Sequence, residues 1–361
     1  MRKVLARGRF LADRRYLVAV FGALLIVGLL VLPVPYVKQS PGPIFNTIGT
    51  FDDKELIAIS GTETYAPDGT LGLVTVTERG GPFGILLLGE ALLGWVNPDV
   101  AIVPRSALYP EELSEEQART RNRVAFGNSQ GNAISAALGH LGLPIVTSVL
   151  VSGVADDGPS VGLFEVGDQI TGVQGEGVTT TEELVKKVRA NSPGTEIEFD
   201  VIRQGAPRKI KVTSQAANDD PNAASVGIFI SNHVQAEFEI DFALDSIGGP
   251  SAGLMFALGI IDELTPGNLT KGEKVAGTGT VTPAGEVGPI GGLWQKLAAA
   301  SNQDVEIFLL PADNCDDVNR SEFRGMPLVP VKNVTEAVNY LRKWAIDGAD
   351  SLPRCTGTEI G

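Results

Sequence analysis

Histidine and cysteine are almost absent from this chain, with two of each among 361 residues. Both histidines, His140 and His233, precede the one serine set in a nucleophile-like frame, Ser251 in Gly249-Pro-Ser-Ala-Gly253. That frame matches the G-x-S-x-G elbow, in which an acid and then a histidine follow the serine; no histidine follows here, so that arrangement is excluded. A His, Asp, Ser order stays formally open through His140 or His233, although neither lies in a stretch that reads as a catalytic turn. No H-E-x-x-H pattern occurs, which removes that zinc chemistry, and no metal site is expected. No G-x-x-x-x-G-K-[ST] occurs either, so neither a P-loop motor nor ATP is expected, and no other cofactor is implied. Positive charge is scarce beyond the start. Arg2, Lys3, Arg7, Arg9, Arg14 and Arg15 against Asp13 give the first 15 residues a net +5, and the rest carries −19, for a total of −14. So acidic a body repels phosphate backbones, and nucleic acid is not an expected partner.

The basic start leads into Tyr16–Leu32, YLVAVFGALLIVGLLVL, 17 residues without a charge, followed by Pro33-Val-Pro35. This is at the short end for a spanning helix and long for a cleaved leader, and no small-x-small cleavage signal follows. The expectation is an uncleaved signal anchor over 16–36, with the basic tail 1–15 cytoplasmic and residues from Val37 onward outside the membrane. A cleaved leader is the alternative, and it too leaves the body extracytoplasmic. The second apolar run, Phe83–Val96, holds Glu90 and three glycines and reads as a buried or amphipathic helix. In an oxidising compartment Cys315 and Cys355 are candidates for one disulfide closing a loop of about 40 residues. A nucleophilic Cys315 is disfavoured by its acidic setting, Asp313-Asn-Cys-Asp-Asp317, which raises a thiol's pKa.

Residues 37–140 form an N-terminal region of strands and loops, with a strand over Gly72–Thr77. A capping box, Ser114 with Gln117, opens a helix running toward Phe126, and a second helical stretch spans Asn132–Gly142. Strands follow at Ile145–Ser152 and Val166–Gln174, then an amphipathic helix after Thr180 carrying Leu184, Val185 and Val188. The alternating strand Thr195–Gln204 turns through Gly205-Ala-Pro207 into a hairpin partner, Arg208–Ser214. With Val161-Gly-Leu163, Val166-Gly-Asp168, Ile170, Gly175 and Asn191-Ser-Pro-Gly-Thr195, residues 141–215 resemble a bacterial PDZ domain. The resemblance implies peptide binding by strand addition, with the carboxylate loop at Gly142-Leu-Pro-Ile145 and Leu184 and Val185 on the groove helix. Pro144 departs from the family's second glycine and removes a backbone N–H, which puts capture of a chain end in doubt. A PDZ that only packs against its neighbour is the alternative. Residues 216–225 read as a linker.

With no histidine after Ser251 and neither His140 nor His233 in a catalytic turn, the base favoured for it is a lysine, which must be neutral to accept a proton. Its ordinary pKa of about 10.4 falls on burial among apolar groups. Lys271 and Lys274 sit in a polar loop. Lys296 lies in Gly291-Gly-Leu-Trp-Gln-Lys-Leu-Ala-Ala-Ala300, a glycine pair opening an apolar helix; a lysine snorkelling from a surface helix is the bland reading. Gly248-Gly249 permit a tight turn, Pro250 suits a first helical position, and a buried helix is expected over 251–264, ended by Thr265-Pro-Gly267. Its N-terminal amides, that of Ser251 among them, suit a developing oxyanion.

Gly249–Gly253, Thr278-Gly-Thr-Val-Thr282, Gly285-Glu-Val287, Pro289-Ile-Gly-Gly-Leu293 and Lys296, in this order, resemble the proteolytic domain of Lon proteases (peptidase S16). The resemblance implies Ser251 as nucleophile, Lys296 as general base and Thr278 as a support for the lysine amine. The acidic residue that many such domains carry three before the serine is Gly248 here, leaving that role unfilled or to Asp245. Together, anchor, PDZ and Lon-like domain resemble bacterial membrane-bound PDZ–Lon-like serine proteases, and the resemblance takes in Asn128-Ser-Gln-Gly-Asn-Ala133. The expected fold is a multidomain α+β protein: a transmembrane helix, a PDZ domain, a Lon-type α/β domain over 226–346 and a tail over 347–361. The expected function is ATP-independent, membrane-tethered serine endopeptidase activity at the bacterial cell membrane, single-pass with the catalytic domain extracytoplasmic. It would act on unfolded or exposed protein segments selected by the PDZ domain; a homo-oligomeric ring is implied by resemblance only. The competing expectation is an inactive PDZ scaffold binding peptides or proteins at the membrane.

Overall fold

A computed structural model describes residues 2–109, 114–217, 219–244, 248–318 and 320–355, with side chains from Tyr16 onward. The chain divides into two compact units. The smaller comprises Met1–Pro43, Thr75–Ala118 and Trp294–Ala298; the larger comprises Ile44–Val74, Arg119–Leu293 and Ala299–Gly361.

In the smaller unit a helix spans Arg2–Leu30. The expected transmembrane helix over 16–36 is not found: the helix ends at Leu30, Pro33–Val34 is a strand and another starts at Tyr36. Proline lacks the amide that would continue the ladder. Tyr16, Leu17, Val18 and most of the apolar residues through Leu32 are exposed. Among the described residues no helix is long and apolar enough to cross a membrane. Tyr36–Gln39 pairs antiparallel with Ala101–Pro104. The run Phe83–Val96 yields a short helix, Leu88–Trp95, with Ala91 and Gly94 buried and Glu90 paired to Arg79 at 3.2 Å. The capping box forms as expected: Gln117 N donates to Ser114 Oγ at 3.2 Å, and Ser114 N to Gln117 Oε1 at 3.1 Å.

The larger unit opens its PDZ part with helix α1, whose full extent is Glu115–Leu141. Two helices separated at Gly127 and Gly131 are expected from sequence, but one continuous helix forms. Gly131 is there for space: a Cβ would lie 2.5 Å from the Asn232 carbonyl oxygen. Strands β1 (Val146–Val154) and β2 (Gln169–Val173), helix α2 (Thr181–Arg189), and strands β3 (Glu196–Arg203) and β4 (Ala206–Thr213) follow. Thr180 caps α2 by accepting from Glu183 N. β3 and β4 pair over their whole length, Glu196↔Thr213 to Arg203↔Ala206, as the alternation requires. Val149, Val151, Phe164, Ile170, Leu184, Ile197, Phe199 and Val201 fill this part's own core. The expected linker is itself paired, Gln215↔Ser225 and Ala216↔Ala224. The next strand, β5 (Ile228–Gln235), returns to the PDZ sheet and pairs antiparallel with β1 from Ile228↔Val154 to Gln235↔Val146. The sheet order is thus β4-β3-β2-β1-β5.

The C-terminal part packs helix α3 (Gly253–Leu264) against a parallel sheet of β6 (Lys274–Gly277), β7 (Ile307–Pro311) and β8 (Met326–Val331). β6 also pairs in parallel with Thr70–Leu73, the start of strand Thr70–Gly80. Helix α5 (Val334–Asp347) follows in this unit, while helix α4 (Leu293–Ser301) has Trp294–Ala298 in the smaller unit. Every residue of α3 from Gly253 to Asp262 is buried, as a helix apolar all round should be. Cys315 and Cys355 are disulfide-bonded with Cα atoms 5.2 Å apart, which ties residue 355 to the domain.

Candidate active site

The turn carrying Ser251 is built from contacts that only its sequence allows. Gly249 has φ +96°, a left-handed conformation that costs little only for glycine. A Cβ on Gly248 would lie 2.8 Å from the Asn122 side chain, so the turn runs directly against α1. Gly249 N donates to Asn122 O at 3.2 Å, and Ser129 Oγ donates to Pro250 O at 3.0 Å.

Ser251 stands two residues before α3 rather than in its first turn. The groups that would begin the helix bond sideways instead. Gly279 N donates to Ser251 O at 3.0 Å, Leu254 N donates to Gly279 O at 3.1 Å, and the first helical bond is Phe256 N to Ala252 O. Thr278 joins the same junction: fully buried, it donates its hydroxyl to Ser251 O at 3.2 Å. The segment Thr278–Gly279 therefore clamps the backbone of the candidate nucleophile. Asp245, the acidic alternative to Gly248, lies outside the described residues.

Lys296 sits on α4 with only 3% of its surface exposed, and Leu293, Leu297, Ala298 and Ala300 of the same helix are buried too. Burial alone pushes its amine down to about 7. That is the displacement a lysine base requires, since a neutral amine holds the lone pair that takes a proton. Ser251 belongs to the larger unit and Lys296 to the smaller. Of the other polar candidates, His140 Nδ1 lies 2.9 Å from Thr335 Oγ1. Among the described residues no cluster of three or more His, Cys, Asp or Glu is arranged to hold a metal ion.

The PDZ candidates separate. Gly142, with φ +69°, Leu143 and Pro144 are exposed, and Ile145 is half-buried. They lead into β1, which is paired on both edges, with β2 on one side and β5 on the other. Leu184 lies in the PDZ core while Val185 on the same helix is exposed. The strand at the sheet's end beside α2 is β5, with no further strand paired to it among the described residues: Asn232 Oδ1 accepts from Thr181 N at 2.8 Å. A strand following a linker gives no local sign of this long-range pairing.

Two acids on α3 escaped sequence reasoning. Burial pushes Asp262 up to about 6, and burial with the nearby Glu55 and Asp262 carboxylates pushes Glu263 up to about 8. Their signal was available: adjacent acids closing a helix otherwise apolar.

Comparison with known proteins matches two stretches of the chain. Residues 221–341 match the family model of the Lon protease (S16) C-terminal proteolytic domain, and residues 120–213 match that of the PDZ domain. The chain joins a PDZ domain to a Lon-type proteolytic domain. The PDZ match begins inside α1. Similar relatives include the Lon protease of Vibrio parahaemolyticus, 38% identical over 93 residues, which make up 25% of this chain and 12% of that protein. The Lon protease of Lachnoclostridium phytofermentans is 28% identical over 164 residues, 41% of this chain and 20% of the relative. The PDZ–Lon-type chain thus spans an eighth to a fifth of the length of these relatives. Among solved structures, the PDZ domain of the SdrC-like protein from Listeria monocytogenes aligns with TM-score 0.21 and 19% identity, covering 23% of this chain and 85% of that one. Its counterpart from Listeria innocua aligns with TM-score 0.22 and 20% identity, covering 24% and 96%.

Proposed function

We propose that this S16-type protease domain is an ATP-independent serine endopeptidase whose nucleophile is Ser251 and whose general base is Lys296. The observation that supports it most is the burial of Lys296, which brings its amine to about 7 in a helix, LWQKLAAAS, whose Leu293, Leu297, Ala298 and Ala300 are buried with it. Near neutral pH a large share of such a lysine is unprotonated. Its lone pair takes the Ser251 Oγ proton as Oγ bonds to the scissile carbonyl carbon. The carbonyl oxygen becomes an oxyanion, for which the Ser251 amide is the candidate donor. Collapse breaks the C–N bond, and the lysine ammonium gives its proton to the departing amine. Water, deprotonated by the same lysine, then attacks the acyl-enzyme and releases Ser251. Thr278 and Gly279 hold the Ser251 carbonyl and so fix where Oγ stands. Thr278 is also the candidate support of the lysine amine.

Unfolded or loosely folded protein segments are the proposed substrates, because the chain has no P-loop to drive unfolding. The exposed apolar residues 16–32 and the disulfide support a membrane-tethered protein working outside the cytoplasm. The PDZ domain is proposed to select substrate segments. The test is digestion of a reduced, carboxymethylated protein by the full chain in detergent, without ATP. Parent protein should cut and Ser251→Ala and Lys296→Ala should not. A parent that binds the substrate saturably without cutting it would instead make the protein an inactive scaffold.

A further inference from the structure

The stretch Asn128-Ser-Gln-Gly-Asn132 on α1 has a geometry that the protease chemistry does not use. One face of it meets the PDZ edge strand β5. Asn128 Nδ2 donates to Ile230 O at 3.0 Å, and Gly131 is pressed against Asn232 O. Residues two apart on a strand present their carbonyls to the same edge, so α1 covers the edge of β5 that β1 leaves open. The other face meets the serine turn, where Ser129 Oγ donates to Pro250 O, and earlier on α1 Asn122 O accepts from Gly249 N. A relay of amides joins the two faces. Thr181 N, at the start of α2, donates to Asn232 Oδ1 at 2.8 Å; Asn232 Nδ2 donates to Asn132 Oδ1 at 2.8 Å; Asn132 Nδ2 donates to Val281 O at 2.9 Å. Val281 follows the Thr278–Gly279 clamp by two residues, and a Cβ on Gly253 would lie 3.0 Å from its side chain. Ser129 and Asn232 are buried, so these bonds are shielded from competing water.

We propose that Ser129 and Asn132 are positioning residues for Ser251, and that the Asn132–Asn232 relay makes the PDZ strand β5 and helix α2 part of what holds the nucleophile in place. Ser129 fixes the carbonyl immediately before Ser251, and Asn132 fixes the strand that follows its clamp. The positioning role rests on Ser251 being the nucleophile, whereas the mechanical link between PDZ and turn does not.

The experiment uses the full chain in detergent with Ser129→Ala, Asn132→Ala, Asn232→Ala and the double variant Asn132→Ala/Asn232→Ala. Asn232→Asp is a milder variant that keeps the acceptor for Thr181 N and loses the donor to Asn132. Ser135→Ala is the control: that hydroxyl donates to Gly131 O of its own helix. Hydrogen exchange is followed in peptides covering 248–256 and 278–282. Asn232→Ala and Asn232→Asp should speed exchange there about tenfold, although Asn232 lies on the PDZ sheet; exchange at the parental rate in both peptides overturns the link. Hydrolysis of a short fluorogenic peptide is then measured per titrated active site. Ser129→Ala and Asn132→Ala should lower kcat by about 10- to 100-fold with KM within about twofold, the signature of a misplaced nucleophile. The double variant should be no slower than Asn132→Ala alone, because both break one relay. Parental kcat per active site, with only a lowered Tm, would reduce these residues to scaffolding and refute the positioning role. If neither parent nor variants hydrolyse the peptide, the proposed function fails while the exchange result still decides the link.

Discussion

Replacing Lys296 by Met removes one buried amine and keeps a side chain of similar length in an apolar setting. Its amine has an ordinary pKa of 10.5 and falls to about 7 in the folded protein. Between those values the unfolded chain binds a proton that the folded chain does not. The lysine therefore opposes folding below pH 10.5, and the opposition grows as pH falls and levels off below about 7. At pH 7 this linkage amounts to about 4 kcal/mol, and at pH 10 to about 1 kcal/mol. Urea unfolding of parent and Lys296→Met at half-unit steps from pH 6 to 10 measures it, because the other titrating groups cancel in the difference. Lys296→Met should be the more stable protein at pH 7 by up to about 4 kcal/mol, with the gap closing as pH rises. It should also be inactive. A difference independent of pH would mean that Lys296 stays charged in the fold, and the base assignment would lose its physical ground.

Thr278→Val keeps the shape and removes the hydroxyl bonded to Ser251 O. It should cost about 1 kcal/mol in urea unfolding and a larger factor in kcat than in KM. Breaking the Cys315–Cys355 bond, by Cys315→Ser with Cys355→Ser, frees a loop of sequence separation 40 and should lower stability by up to about 4 kcal/mol on the chain-entropy account. A Tm unchanged from the parent's would contradict that. Glu263 has its carboxyl raised from 4.5 to about 8 by burial and its acidic neighbours. Its folded form thus holds a proton that the unfolded chain releases, and stability falls as pH rises through 4.5 to 8. Glu263→Gln, which mimics the protonated acid, should raise Tm progressively from pH 5 to 8, and equal Tm shifts at pH 5 and pH 8 would refute this.

What local sequence could convey, it conveyed. Alternation in Thr195–Gln204 and Arg208–Ser214 produced the β3–β4 hairpin, and the unbroken apolar run after Ser251 produced buried α3. The burial of Lys296 was only half legible: Leu293, Leu297 and Ala300 share its side of the helix, but a lysine snorkelling from a surface helix fits the same pattern. The failures share a different cause. Glycines 127 and 131 look like helix breakers, yet Gly131 is a contact point for a carbonyl about a hundred residues away. Residues 228–235 look like the start of the next domain, and the Lon-type match from 221 includes them, yet their pairing with β1 in the PDZ sheet has no local sign. The serine turn looks like a helix start, yet Thr278 and Gly279 take its backbone groups. Each of these depends on partners distant in sequence, which no local pattern encodes.

The central claim is a serine whose reactivity depends on a buried, neutral lysine. The most direct test treats the full chain with a fluorophosphonate, maps the modified residue by mass spectrometry and follows the rate from pH 5 to 9. The account predicts a single adduct on Ser251, a rate that rises with a midpoint near 7, and loss of the reaction in Lys296→Ala. An adduct on another residue, or Ser251 labelled in Lys296→Ala at the parental rate, would contradict it.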